Sequence, residues 1–434
     1  LLQNLTRIAP HWLWCSHNGQ WHSATAILLE QLANDQEQLQ QRQPTVLVLA
    51  ESDPFSFLRG FLAALSTGTP LLLANPQWQS QEWQQLAAIL PQNFMAWGTV
   101  PPLDPQGSGE RLPQGWILIP TGGTQGRLRW AIHTVATLQA ARMGLQSHLQ
   151  QLTIHCLSIL PLYHVSGLMP VVRSLWSGGE LYLARHLRDL RQTTPPANLD
   201  LWLSLVPRQL QQVLTEPLPW LGKLRGIFIG GGPTWSQLLE EAATQRLPLC
   251  LTYGMTETAG MICAQRQGEF LAGDRSCGQV LPHAQIDLTP TGEIQIQAAS
   301  LALGYYPEFF DSAIFPTDDR AQWRGDRLYI LGRSSRKIIS GGENIYPEEL
   351  EALLLDSGLI QDIYIYGAAD PLWGEQVIAL YVGDASPEEL NTWLKQQCSA
   401  YKCPKQWIRV PQIPRTPQGK VSLVTLADGY GQRE

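Results

Sequence analysis

At 434 residues the chain is too long for one ordinary domain, and two or three domains with a sizeable buried core are expected. Its 44% hydrophobic and 15% charged residues describe a globular protein poor in charge. A net charge of −7 and a pI near 5.8 argue against nucleic acid or an anionic membrane as a general partner, so any polyanionic ligand must be held by a local cluster.

The seven cysteines are scattered, odd in number and without a CxxC pair. That usage suits reduced thiols in a cytoplasmic protein and argues against a disulfide framework or a zinc site. No apolar run approaches the ~18 residues of a membrane span, so no stable membrane insertion is expected. The chain opens Leu1-Leu2-Gln3 without a methionine, and no signal-peptide pattern is legible there.

In chain order, residues 23–33 are predicted helical, and the Gln-rich stretch 36–43 is read as a solvated helix face or loop. Residues 45–50 form an apolar run of strand length, 57–65 have helical spacing, and 70–74 form a second apolar run. Strand, helix and strand with short connections imply a parallel βαβ unit. A helix over 78–90 follows, then a Pro- and Gly-rich loop over 101–114.

An apolar run over 116–119 then empties into Pro120-Thr121-Gly122-Gly123-Thr124-Gln125-Gly126-Arg127-Leu128-Arg129. Glycines permit positive φ and let N–H groups come close to a ligand, and successive N–H groups make an anion-binding concavity. The threonines add hydroxyl donors, and Arg127 and Arg129 add charge. A phosphate-cradling loop is one reading, and a plain turn before a helix is the other. The Gly-Lys-Ser/Thr ending of the common nucleotide P-loop is absent.

A helix is predicted over 134–149. A strand over 156–160 leads into Pro161-Leu162-Tyr163-His164-Val165-Ser166-Gly167, and a strand over 201–206 into a helix begun by Pro207. Strands over 225–229 and 248–252 run into Gly230-Gly231-Gly232-Pro233 and Tyr253-Gly254-Met255-Thr256-Glu257-Thr258. This alternation means a large α/β core with mostly parallel sheets, and each polar motif follows a strand's C-terminal end, where such sheets bind ligands.

From 277 on, short alternating segments at 284–288 and 293–297 predict a smaller, more antiparallel β region. Gly332-Arg333-Ser334-Ser335-Arg336-Lys337 breaks the pattern. A helix over 347–355, strands near 361–366 and 376–382, and a helix over 387–397 then make a compact α+β unit, followed by a tail. The expected division is an N-terminal domain over 1–332 and a small mobile domain over 333–434, with a hinge near 333–336.

In order, and over nearly the whole chain, these motifs resemble those of the adenylate-forming enzymes: acyl-CoA synthetases, adenylation domains of peptide synthetases, and luciferases. The resemblance implies their two-domain α/β fold and the use of ATP, Mg²⁺ and, in the synthetases, coenzyme A. It implies that Thr121, Gly122, Gly123, Thr124, Gly126 and Arg129 hold the ATP phosphates. Gln125, Leu128 and Arg129 depart from the family's Thr, Pro and Lys, and Arg129 keeps the charge without the compact ammonium geometry.

Thr256 would touch the phosphate and Glu257 would hold Mg²⁺. The chemistry asks for such a cation, because a carboxylate attacking the α-phosphorus of ATP meets like charge. An acidic first-turn residue satisfied by a helix dipole is the other reading of Glu257. Gly230, Gly231, Gly232, Pro233, Tyr253 and Gly254 correspond to the adenine side. In Thr317-Asp318-Asp319, Asp319 would accept from both ribose hydroxyls and Arg333 would reach the same sugar, while Asp318 stands where the family has Gly. Ser335 occupies the hinge. Pro414-Arg415-Thr416-Pro417-Gln418-Gly419-Lys420 supplies Lys420, which would stabilise charge at the α-phosphoryl group and withdraw as its domain rotates.

Within the family, three stretches are similar to the branch that activates o-succinylbenzoate for menaquinone or phylloquinone biosynthesis. They are 161–168, Ser204-Leu205-Val206-Pro207-Arg208-Gln209-Leu210, and Ser340-Gly341-Gly342-Glu343-Asn344-Ile345-Tyr346-Pro347. Gly341 and Gly342 would border the CoA side. His164 would gate the acyl pocket from the CoA channel, a core histidine bonded to backbone being the alternative.

The second, unactivated carboxylate of such a substrate is costly to bury unpaired. Arg173, nine residues after His164, is the expected partner with Ser166 assisting, and a surface or phosphate-side arginine is the alternative. Adenylation and then thiol transfer would follow at one site, without a protein nucleophile. Another aryl- or acyl-CoA ligase, an adenylation domain serving a carrier protein, and a nucleotide-binding protein without catalysis are the competing readings. The resemblance is also compatible with a homodimer.

Overall fold

The computed structural model describes residues 8–107, 111–122, 128–196, 198–232, 234–340, 343–370, 374–398, 400–415 and 421. Strand Val46–Ala50 is buried throughout, yet its side chains divide with period two. Leu47 and Leu49 enter one core, and Val46, Val48 and Ala50 enter another. Leu201–Leu205 divides likewise, with Trp202 on the first core and Leu201, Leu203 and Leu205 on a third. Strands buried on both faces need a cover on each.

The result is two sheets separated by helices and backed by further helices. The inner layer is Thr25–Arg42, Pro54–Thr67, Val135–Leu149 and Val165–Ser177. Its Phe57 and Phe61 are fully buried with ring centroids 6.2 Å apart, and burying each contributes about 1.5–3 kcal/mol. Ser80–Ala87 covers the outside of one sheet, and Leu187–Gln192, Pro207–Thr215 and Ser236–Thr244 cover the other.

The nine-stranded sheet has six parallel strands in the order Leu249–Met255, Gly226–Ile229, Leu201–Leu205, His155–Ser158, Leu181–Leu183, Leu13–His17. Antiparallel strands close both edges. The seven-stranded sheet is parallel over Phe94–Gly98, Val46–Ala50, Leu71–Leu73 and Trp116–Gly122, and antiparallel beyond. An antiparallel four-stranded sheet spans 284–333. A five-stranded sheet over 338–409, covered by Pro347–Asp356 and Pro387–Gln397, has its own core. This is the mixed α/β architecture expected, with a large N-terminal part and a C-terminal domain.

Several local expectations are corrected. The helix expected at 23–33 and the Gln-rich stretch after it are one helix, Thr25–Arg42, because Leu28, Leu32, Asp35 and Leu39 share a buried face. Asp35 is tolerated there because Arg59 donates to both its oxygens, at 2.7 and 2.9 Å. Before that helix stands an unforeseen hairpin, Leu13–His17 with Gln20–Ser23. Its turn is Asn18-Gly19, with φ of 48° and 76°, the pair that a two-residue turn favours. Phe94–Gly98 and Gln406–Arg409 are strands where none was expected. The 78–90 helix shortens to Ser80–Ala87.

The Gly-rich loop does not lead into a helix. Trp116–Gly122 and Leu128–Thr134 form an antiparallel hairpin around it, and the helix starts only at Val135. All seven cysteines are unpaired thiols. Among the described residues no helix is long and apolar enough to cross a membrane.

Candidate nucleotide site

The parallel strands Gly226–Ile229 and Leu249–Met255 are neighbours in the nine-stranded sheet, and the turn after the second lies against the Gly-rich hairpin. Gly231 has φ of 79° and turns the chain away after Ile229. Thr252 Oγ1 donates to the Ile229 carbonyl at 3.0 Å, tying that turn to the next strand. Gly254 has no room for a side chain, since an added Cβ would lie 2.0 Å from the Gly260 carbonyl oxygen. Its glycine is therefore required by the Leu249–Met255/Gly260–Ala264 hairpin itself.

Thr256–Thr258 is a single 3-10 turn. His133, fully buried on the strand Leu128–Thr134, binds the Thr256 carbonyl through Nε2 at 2.8 Å and Thr137 Oγ1 through Nδ1 at 3.0 Å. Burial pulls its pKa down to about 4, against the Thr256 hydrogen bond, so the ring is neutral and Nε2–H is the donor. One sheet thereby holds a turn belonging to the other.

Glu257, 6% exposed, accepts a hydrogen bond at Oε1 from the Tyr305 hydroxyl at 2.6 Å. The guanidinium of exposed Arg129 lies over the Tyr305 ring, 4.1 Å from its centroid. Burial, and next the Glu257 carboxylate, push the Tyr305 phenol well above its ordinary range. Thr121 stands opposite Arg129 in the hairpin register, and Gly122 opposite Leu128.

Asp319 is buried and doubly engaged. Its Oδ2 accepts from the Tyr253 hydroxyl at 2.8 Å and its Oδ1 from Arg333 Nε at 2.7 Å. Burial and then Asp319 push the Tyr253 phenol well above its usual range. Thr317 Oγ1 accepts from the Asp319 N–H at 3.1 Å.

His164 caps the helix Val165–Ser177, with its ring 4.6 Å from that of Tyr163. Ser166 lies in the first turn. Val165 and Met169 pack over Gly260, just past the Glu257 turn. Arg173 is not at the surface: it is 4% exposed, with its guanidinium 5.6 Å from the Phe228 ring centroid. Its Nε has no hydrogen-bond partner among the described residues, and burial pulls its pKa down to about 10.

The structure thus brings together Arg129 of the seven-stranded sheet, Tyr253, Thr256 and Glu257 at the end of the nine-stranded sheet's Leu249–Met255, and Asp319 and Arg333 of the four-stranded sheet, with the helix of His164, Ser166 and Arg173 beside them. Gly123, Thr124, Gly126, Pro233, Gly341, Gly342 and Lys420 lie outside the described residues. Two residues went unread in the sequence. His133 sits in an ordinary strand, and Tyr305 carries no local signal beyond lying twelve residues before Thr317.

A divalent cation fits this chemistry. Among the described residues no group of three or more His, Cys, Asp or Glu could enclose a metal ion. Glu257 is a single buried carboxylate with one oxygen already hydrogen-bonded, as suits Mg²⁺, which takes few protein ligands and completes its shell with phosphate and water.

The AMP-binding enzyme family matches residues 114–306, and the AMP-binding enzyme C-terminal domain matches residues 349–420. The 2-succinylbenzoate–CoA ligase of Bacillus licheniformis is 31% identical over 334 residues, covering 69% of this chain and 67% of that protein. The ligase of the same name from Staphylococcus epidermidis is 31% identical over 319 residues, with the same two coverages. The solved structure of o-succinylbenzoate CoA synthetase (MenE) from Bacillus subtilis, in complex with the acyl-adenylate OSB-AMP, superposes with a TM-score of 0.80. Its identity is 23%, covering 100% of this chain and 98% of that one. At that identity the likeness speaks for the fold.

Proposed function

The chain belongs to the AMP-binding enzyme family, and from that membership we propose that it is an ATP-dependent ligase acting on 2-succinylbenzoate. It activates the succinyl carboxylate as an acyl-adenylate and passes the acyl group to coenzyme A, a step toward menaquinone or phylloquinone. The observation that carries the adenylation reading is the convergence of a buried carboxylate, Glu257, with Arg129 and the Tyr253–Asp319–Arg333 triad. The substrate reading is supported by the names of the relatives and by buried Arg173, whose Nε lacks a partner among the described residues.

In the first half-reaction an oxygen of the acyl carboxylate attacks the α-phosphorus and pyrophosphate leaves. Arg129 and residues 121–126 would bind the phosphates, and Glu257 would hold Mg²⁺, which would supply neutralising charge. Asp319 accepts from the ribose hydroxyls, with Arg333 keeping its carboxylate in place. Tyr253 and Gly230–Gly232 flank the base, and Arg173 pairs the carboxylate that does not react. Lys420 stabilises the charge that builds at the α-phosphoryl group.

The two domains divide near 332/333. Arg333 is anchored to Asp319, while Arg336 is anchored to Glu351 and Glu348. Rotation falls on Ser334 and Ser335 between them, withdrawing Lys420 and opening the CoA side at Gly341 and Gly342. The CoA thiol then displaces AMP.

Pyrophosphate release from Mg·ATP, with o-succinylbenzoate, benzoate, a fatty acid and an amino acid offered separately, tests this reading. Release with o-succinylbenzoate, and a thioester once CoA is added, is the expected result. Release with another acid keeps the chemistry and discards the substrate. Silence with every acid, while ATP still binds, makes the chain a nucleotide-binding protein without catalysis.

A further inference from the structure

Two groups with opposite charge meet at one ring. Tyr305 lies on the short strand Gly304–Tyr305, directly opposite Ala131 of the Gly-rich hairpin. Phe310 packs edge-on against it, with centroids 5.2 Å apart and planes at 85°. Its position is therefore set by backbone pairing and by an aromatic neighbour, independently of any ligand. From there its face carries the Arg129 guanidinium, and its hydroxyl donates to Glu257.

The Glu257 backbone is fixed separately, by Ala302 N–H donating to the Glu257 carbonyl at 2.7 Å and by His133 on Thr256. What remains free is the carboxylate's rotamer, and the 2.6 Å bond to Tyr305 sets it. Bonds to ionised acceptors are short and roughly twice as strong as neutral ones.

We propose that Tyr305 is a two-sided positioning residue, its hydroxyl orienting the cation-binding carboxylate of Glu257 and its ring seating the phosphate-binding Arg129. The assignment rests on the nucleotide reading of the site. It also gives a physical reason for an arginine at position 129. A planar, weakly hydrated guanidinium stacks on an aromatic face, whereas an ammonium is a compact, strongly hydrated charge. The hydroxyl and the ring should therefore be separable by mutation.

The test uses the full chain with Tyr305→Phe and Arg129→Leu, each checked by thermal melting. Two readouts need no turnover: Mn²⁺ bound by the protein–ATP complex, followed by electron paramagnetic resonance, and ATP binding in EDTA, followed by calorimetry. Tyr305→Phe keeps the ring, so ATP binding in EDTA should stay at the wild-type level while Mn²⁺ affinity falls about 10-fold, the usual effect of losing a partner of a metal ligand. Arg129→Leu should do the reverse, weakening ATP in EDTA about 3-fold or more. Tyr305→Leu should combine both losses.

Wild-type Mn²⁺ affinity in Tyr305→Phe, or equal effects of Tyr305→Phe and Arg129→Leu on both readouts, would overturn the proposal. The function reading fails on a different result. If the variants showed this pattern while the wild type released no pyrophosphate with any acid, the ligase assignment would be lost and the role of Tyr305 kept.

Discussion

Arg336→Met should destabilise the C-terminal domain strongly, and more so as pH rises. Glu351, 8% exposed, accepts from Arg336 Nη1 at 3.1 Å and Nη2 at 2.6 Å, and from the Ile365 N–H at 2.7 Å. Arg336 Nη2 also donates to the Ile365 carbonyl at 2.9 Å, and Glu348 lies 3.2 Å from Nη1. Methionine keeps the aliphatic stem but leaves two carboxylates on one helix without their cation. Breaking a buried pair from one side costs about 3–5 kcal/mol.

The sign of the pH dependence follows from Glu348. Burial raises its carboxyl above the ordinary value while Arg336 pulls it down, so removing Arg336 raises it further. A carboxyl raised in the folded state holds its proton there more tightly than in the unfolded chain, and the stability this provides at low pH is lost as pH rises. The deficit should therefore be smallest near pH 5 and largest near pH 8. Calorimetry resolving the C-terminal transition in Arg336→Met and in Arg336→Met/Glu351→Leu would measure it, the second variant recovering most of the loss. A deficit below about 1 kcal/mol at pH 8, or one that grew toward pH 5, would refute the argument from the buried pair.

His133 gives the opposite trend in the wild type. Its folded pKa is depressed to about 4 from 6.5, so the unfolded chain binds more protons in that window and stability is lost as pH falls through it. A displacement of that size is worth about 3 kcal/mol, and urea titrations of His133→Gln from pH 7 to 4 should show a correspondingly flatter acid limb. Asp356 Oδ1 accepts from the Gln237 N–H at 2.9 Å, at the start of Ser236–Thr244, a helix whose own Trp235 offers no side-chain cap. Asp356→Ala should cost about 1 kcal/mol by chemical denaturation. Arg173→Met should raise the KM for o-succinylbenzoate roughly 10-fold or more while leaving benzoate activation unchanged. Its melting temperature should hardly move, because the guanidinium it removes is buried and its Nε has no partner among the described residues.

What could be read in the sequence was whatever repeats locally. The apolar runs at 45–50, 116–119 and 201–206 announced buried strands, and Pro387 after Ser386 announced the helix Pro387–Gln397. Asn18-Gly19 was an available hairpin signal, but Gln20–Ser23 after it is a mostly polar edge strand, and neither flanking strand shows apolar alternation. Residues 123–127 looked like a turn before a helix because the helix was expected at 134–149, where it does begin, but the strand Leu128–Thr134 that intervenes went unread. Glu257, Asp319 and Arg129 were legible through motifs. The group joining two of them, Tyr305, is brought in by strand pairing from 170 or more residues beyond Arg129, a relation no local window contains.

Leu13 is hydrogen-bonded into its sheet beside Leu181, 168 residues later. During synthesis the strand Leu13–His17 therefore has no parallel neighbour until that distant segment has been made, which at about 5–20 residues per second is on the order of 10–30 s. Meanwhile Val46–Ala50, Leu71–Leu73 and Phe94–Gly98 can already pair with one another. The parallel strands of the seven-stranded sheet are thus free to pair while Leu13–His17 still waits for its neighbour. A chaperone that shields extended apolar segments should find a binding site there, on a strand made long before the partner that seats it.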